Sequence, residues 1–424
     1  MLAQLALALL SAQITLTPTS PKSAAPTPIP PAQVRPKREI VVQAGKYDRQ
    51  DSLVQVDLSP LDFNVGLSLR DQAGMLVPIQ IDEAGHASFM IKSLKAGGQA
   101  KLVLAQEGKD LTIPHRARVS IDTRVPSVYK IRVDNKEVLE LQGNNRPVRP
   151  GVPPSLVRGG YIHPVLTPGG AILTDVYPDD QPRHLGIWSY WQSAHVGLAD
   201  VDFWEKPGDS GIIALESVGP TWQGPVQGGF EMRQIYTGLK ELKGSTLIHE
   251  VIRVSAYAPL VDHKPYFIFD VESEQKSSNN ITTDIAKGTA GGIAFRGTKE
   301  WMAGAGPKRV SSEGGPRPRW RYLGGEAGGK TTGIAILGHP ANPNAPQFIV
   351  DGGTKPTMFF SAAAGDGIKI APGKSLVQRY RFVALDGAPD SKTLERLWRD
   401  FAMPPTAKVV EKETLKPARQ TVKQ

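Results

Sequence analysis

Residues 161–204, YIHPVLTPGGAILTDVYPDDQPRHLGIWSYWQSAHVGLADVDFW, hold three histidines, five acids and three of the chain's seven tryptophans in about a tenth of its length. Aromatic faces beside titratable groups suit a ligand with apolar ring faces and polar edges, and sugars are the commonest such ligand. His184 stands just before a glycine and the strand-like IWSYW, a loop-to-strand junction where site residues often lie. Its ordinary pKa suits general acid or base work; the alternative is a histidine capping a turn. Asp202 and Trp204 share one face of an extended segment, so Asp202 can present a carboxylate beside an indole, with Glu205 next in line. Equally, Asp202 caps a turn and Trp204 fills core. Trp188 and Tyr190 share a face while Trp191 takes the other, so one side of that strand is core. His163 and His195 read as structural or site residues.

Further candidates lie outside the block. Arg296, in GGIAFRG, has a guanidinium fork able to anchor a hydroxyl or a carboxylate. His339 and Asn342 belong to a Pro/Asn-rich loop, GHPANPNAP. The catalytic candidates are therefore His184, Asp202, Glu205 and His339, and the substrate-binding candidates are Trp188, Trp204, Arg296, His163 and Asn342. His163, His184 and Asp202 have the donor types for a divalent metal, but nothing in their spacing fixes a coordination geometry, and no cofactor is predicted. Phosphate loops, zinc-protease motifs and nucleophile elbows are absent from the sequence.

These residues must be positioned mainly by strands. With 43 glycines and 36 prolines in 424 residues, and few helical periodicities, the composition favours turns and short strands. Residues 38–125 carry six or seven short segments, several alternating with period two, as in SLVQVDL and VPIQIDE, and fit a small accessory β-sandwich. Residues 126–403 carry twelve to sixteen more, including MRQIYTG, LIHEVIRVSAY, YFIFDVES and LVQRYRFVAL. That number calls for a large two-sheet sandwich. In LIHEVIRVSAY and YFIFDVESE, a row including Arg253, Asp270 and Glu272 either lines a cleft or forms a solvated face with cross-strand ion pairs. One helix is predicted near the C-terminus. Asp390 is its N-cap, Leu394, Leu397, Trp398 and Phe401 form its apolar stripe, and Pro404 and Pro405 end it. The fold class is thus all-β, a small β-sandwich module followed by a large two-sheet supersandwich with one C-terminal helix.

The ends of the chain bear on location and partners. The net charge is +9, but residues 1–39 and 405–424 each carry +3, so the body is nearly balanced and nucleic acid is not an expected partner. MLAQLALALLSAQ has an apolar run over residues 5–10 and small residues that permit cleavage after Ala12, which predicts a signal peptide over 1–12. A Pro-rich linker over 13–37 follows, and 404–424 reads as a disordered basic tail. No later window is long and apolar enough for a transmembrane helix. With no cysteine, disulfides and thiolate chemistry are excluded. The expected location is exported, periplasmic or extracellular.

The blocks YIHPVLTPGG, PRHLGIW and VDFW, then GGIAFRG, RWRYLGG, GIAILGHPANPNAP and LVQRYRF, resemble the PmoA-like family of exported bacterial proteins over about residues 126–386. The resemblance implies a galactose-mutarotase-like supersandwich and a role in carbohydrate breakdown. The family's usual label, methane oxygenase, demands membrane spans and a metal centre that this sequence does not display. Relatives commonly carry HPHHRGLW where this chain has QPRHLGIW, leaving His184 of three histidines; Gly338 replaces a usual aspartate before His339. The expectation is an exported carbohydrate-active hydrolase or lyase acting on a glycan or modified glycoside. In it His184 with Asp202 or Glu205 moves the proton, and Trp188 and Trp204 stack on a carbohydrate ligand. The alternative is a non-catalytic glycan-binding or envelope structural protein.

Overall fold

The computed structural model describes residues 37–59, 67–106, 116–144, 148–260, 264–278 and 280–412. The predicted signal peptide and nearly all of the predicted Pro-rich linker lie outside these residues. Lys37 instead begins the first strand, Lys37–Gln43.

Two sheets form the N-terminal module. Thr406–Lys412, Lys37–Gln43, Gln99–Gln106, Leu67–Arg70 and Leu76–Val77 make one, and Arg49–Asp57, His86–Leu94 and Ile79–Ile81 make the other. Between them pack Ile40, Val42, Val54, Val56, Leu69, Phe89, Leu102 and Leu104, the inward members of alternating strands. The C-terminal tail departs from expectation here. Thr406–Lys412 pairs antiparallel along Lys37–Gln43, with Val409 opposite Ile40 and Ala407 opposite Val42. Ala407 and Val409 lie against the module's core. An alternating TAKVVEK segment is too weak to order itself, but an open sheet edge supplies the missing hydrogen bonds.

The larger domain is built on two eight-stranded antiparallel sheets. The first runs, in spatial order, Phe348–Asp351, Thr357–Ser361, Gly291–Arg296, Ile187–Trp191, Tyr161–Val165, Lys136–Gln142, Val128–Val133 and Val119–Asp122. The second runs Gly211–Trp222, Gln227–Gly238, Ser245–Tyr257, Tyr266–Ser277, Ser375–Asp386, Lys330–Gly338, Trp320–Ala327 and Lys308–Ser311. Residues such as Ile187, Ile293, Phe295 and Met358 from the first meet Phe230, Ile252, Phe269, Ile334 and Phe382 from the second in one core. A further four-stranded sheet, including Ser193–Val196 and Ala199–Asp202, flanks them. The strand Val119–Asp122 joins the large sheet, so the sheet change falls before the boundary read at residue 125.

The helix Ser391–Ala402 forms as its pattern dictates. The Asp390 carboxylate accepts hydrogen bonds from the Lys392 and Thr393 amides, and Leu394, Leu397 and Trp398 pack on Trp320, Leu337 and Leu385 of the second sheet. On the rest of that outer face, Arg253 bridges Glu231 and Glu272 at 2.9 and 3.1 Å, and Arg379 meets Glu272 at 2.6 Å. The polar row is therefore a face of cross-strand ion pairs.

Candidate functional site

The strand Ile187–Trp191 decides where the aromatic residues go. Ile187 joins the main core and the Ser189 hydroxyl also points into the sandwich, so Trp188 and Tyr190 project from the opposite face of the sheet. Trp188 stands opposite Ala294, and Ala294 stands opposite Phe359 on the next strand. The small alanine lets the two rings meet edge-to-face at 6.0 Å. His184 is delivered to this row by a sharp turn at Gly186, where φ is +73° and an added Cβ would sit 2.3 Å from the Ile162 carbonyl oxygen. Only glycine fits there.

The result is a compact cluster of rings. His184 stacks on Trp188 at 5.4 Å and on Trp204 at 5.9 Å, with Phe359 edge-on at 5.5 Å. Trp188 and Trp204 lie 7° from parallel at 5.7 Å, and Tyr190 meets Trp204 at 4.5 Å. Such pairs each contribute about 0.5–1.5 kcal/mol beyond burial. The Arg183 guanidinium lies 5.9 Å from the Trp204 ring centre and pairs with Glu205 at 2.5 Å.

This packing changes the roles read for the block. His184 is 5% exposed, and burial, reinforced by Arg296, pushes its pKa down to about 3. A neutral imidazole with so low a proton affinity is ill matched to proton transfer near neutrality. Among the described residues its Nδ1 has no hydrogen-bond partner. The Asp202 carboxylate accepts from the amides of Trp204 at 2.7 Å and Glu205 at 2.8 Å, so it closes the turn that holds Trp204. Glu205 is engaged by Arg183. Trp188 is 1% exposed and offers no free face, whereas Trp204 is only partly buried.

Arg296, fully buried, sends both terminal nitrogens to Asp180 at 3.1 and 2.7 Å, and Lys355 approaches the same carboxylate at 3.5 Å. Its Nε lacks a hydrogen-bond partner among the described residues. His163 Nδ1 bonds the Thr174 hydroxyl at 2.9 Å, and burial takes its pKa down to about 4. His163, His184 and Asp202 thus have separate engagements and do not form a metal set. Among the described residues no group of three or more His, Asp or Glu is arranged to hold a metal. His195 pairs with Asp200 at 2.9 Å on an exposed hairpin.

His339 and Asn342 belong elsewhere. They line an apolar cleft of ≈ 520 Å³ with Pro318, Arg319, Phe360 and Trp398. Phe359 and Phe360, successive residues of one strand, point to opposite faces, so this cleft and the ring cluster lie on opposite sides of that strand. Asn342 clamps the Arg379 backbone, accepting from its amide at 2.7 Å and donating to its carbonyl at 2.9 Å. His339 accepts from the Ala341 amide at 3.1 Å and turns its ring against Phe401. Neither joins His184.

Beside the ring cluster the structure brings Arg296 together with residues that the sequence reading passed over. An open polar cleft of ≈ 830 Å³ is lined by Arg149, Asp175, Asp180, Arg296, Lys299 and Glu300, among others. Burial raises the pKa of the Asp175 carboxyl, against the opposing pull of the Val176 amide, Arg296 and Lys299. Burial also acts on Asp180, but the hydrogen bonds and charges of Arg296 and Lys355 outweigh it and hold that carboxyl below its usual range. Two nearby carboxyls with opposite tendencies can divide proton donation from charge stabilisation. The signal was present as TDVYPDD inside the same block, but acids in a turn carry no sign of which will be buried.

A model of a family of unknown function, DUF6807, matches residues 129–399. No curated protein matches the chain.

Proposed function

As the chain belongs to the DUF6807 family, whose function is unknown, its chemistry has to be argued from its own cleft, and we propose an exported carbohydrate-active protein that hydrolyses a glycan or modified glycoside. The observation that carries this reading is the cleft where Asp175 and Asp180 stand in contrasting surroundings next to the partly exposed Trp204 cluster. Asp175 is the proton donor to the departing glycosidic oxygen as the bond to the anomeric carbon breaks. Asp180, ion-paired and weakly basic, stabilises positive charge at that carbon. The ionised Asp175 then takes a proton from the attacking water, whose oxygen forms the new bond. Water is thereby added across the bond and Asp175 ends protonated again. Export rests on the apolar leader over residues 5–10.

Purified protein screened on a panel of oligosaccharides, oxidised glycosides included, tests this reading. Asp175→Asn is expected to lower turnover by about 10²–10⁴-fold while leaving sugar affinity within about twofold. Full turnover by that variant would sink the assignment. A second reading, a non-catalytic glycan binder, draws on the fact that His184, Asp202 and Glu205 are all occupied structurally. Saturable sugar binding with no turnover of any panel member would favour it.

A further inference from the structure

A third cleft, of ≈ 460 Å³, opens beside the polar one and is lined by Arg158, Arg183, Leu185, Phe203, Trp204 and Ile213, among others. Arg158 is half-buried in it, and the only side-chain hydrogen bond it makes among the described residues is a long one, Nη2 to the Ser189 carbonyl at 3.5 Å. No described carboxylate forms an ion pair with it. Several other partly buried arginines of this chain differ: Arg118, Arg132 and Arg321 each hold a carboxylate at 2.6–2.9 Å. A guanidinium withdrawn from water without such a partner is costly.

The nearby buried carboxylate does not need it. Glu250 accepts at Oε1 from Ser189 at 2.6 Å, from Gln275 at 2.9 Å and from Ser273, and at Oε2 from Gln234 at 2.5 Å and Tyr236 at 2.9 Å. With both oxygens saturated, Glu250 attracts Arg158 only from beyond ion-pairing distance. Arg183, for its part, makes its described protein hydrogen bonds through Nη1 alone. Its guanidinium carbon lies 5.9 Å from the Trp204 ring centre, and both side chains line this cleft. The cleft also adjoins the carboxyl-bearing one, because Tyr177, which lines the latter, hydrogen-bonds through its hydroxyl to the Arg158 backbone.

We propose that this cleft is a carboxylate-binding subsite for a uronate residue of an acidic glycan, held by Arg158 and Arg183 with its ring against Trp204. The assignment deepens the glycan reading above and rests on it. A guanidinium fork matches the two oxygens of a carboxylate, and an indole face matches the C–H face of a pyranose. An acidic sugar supplies both on one rigid ring.

Isothermal titration of the full chain with an oligogalacturonide, its methyl ester and inorganic phosphate tests it. The acidic oligosaccharide is expected to bind at least about tenfold more tightly than the ester, and Arg158→Gln is expected to erase that preference. Equal affinity for acid and ester, or phosphate binding as tightly as the acid, would overturn the assignment. The acid and ester comparison needs no variant, so it stands even where Arg158→Gln folds poorly. Acid-selective binding without turnover keeps this subsite and removes the catalytic reading. Equal hydrolysis of neutral and acidic glycans does the reverse.

Discussion

Burial among aromatic rings costs His184 its charge, and that cost is measurable as a dependence of stability on pH. Unfolded, its pKa is 6.5; folded, it is about 3. Between these values the unfolded chain binds a proton at this position that the folded chain does not, so stability falls as pH falls through the window. The contribution reaches about 1.4 kcal/mol per pH unit. His163, lowered to about 4 by burial, acts in the same direction. His184→Phe, which keeps a ring in the cluster, is expected to flatten the loss of thermal stability between pH 6.5 and about 4. Denaturation midpoints of both proteins across that range check it, and parallel slopes would refute it. At this scale the 161–204 block was legible as an aromatic centre. The roles of His184, Asp202 and Glu205 were not, because burial and turn hydrogen bonds depend on neighbours such as Phe359 and Arg183 that are distant in sequence or in conformation.

Elements divide by how much of their stability is local. The helix Ser391–Ala402 carries its own cap, stripe and stop, and forms where its pattern places it. Thr406–Lys412 carries only weak alternation, which reads as tail until the edge strand Lys37–Gln43 is beside it. Removing residues 406–424 is expected to expose that edge, lowering the N-terminal module's stability by about 1–3 kcal/mol through loss of the Ala407 and Val409 contacts. Hydrogen exchange at Ile40 and Val42 checks it; protection unchanged from the intact chain would show the strand to be dispensable. The polar row over Ser245–Tyr257 and Tyr266–Ser277 was visible as a period-two pattern. Its use as an ion-paired surface, with Arg253 between Glu231 and Glu272, depended on register across three strands.

Across the whole molecule, the small module and the C-terminal helix are tied by a buried ion pair. Arg49 meets Asp400 at 2.9 Å, and the Ser52 hydroxyl donates to the other Asp400 oxygen at 2.9 Å. Arg49 also donates to the carbonyls of Ala44 and Met403 at 2.8 and 2.7 Å. Asp400→Ala would strand the guanidinium, at a cost of about 3–5 kcal/mol. Calorimetry is expected to show the module's melting separate from that of the large sandwich; a single unshifted transition would contradict it.

Composition and periodicity by themselves determined an all-β chain, its helix, and a stretch rich in rings and acids, since strand alternation and helix capping are local properties of the backbone. Tertiary structure alone decided that His184 and Trp188 are buried while Trp204 is only partly so, that His339 lies apart from them, and that Asp175, Asp180 and Arg158 face clefts. Solvent exclusion and charge pairing are set by which strands become neighbours, and here those strands come from positions as far apart as Tyr161, Glu250 and Phe359.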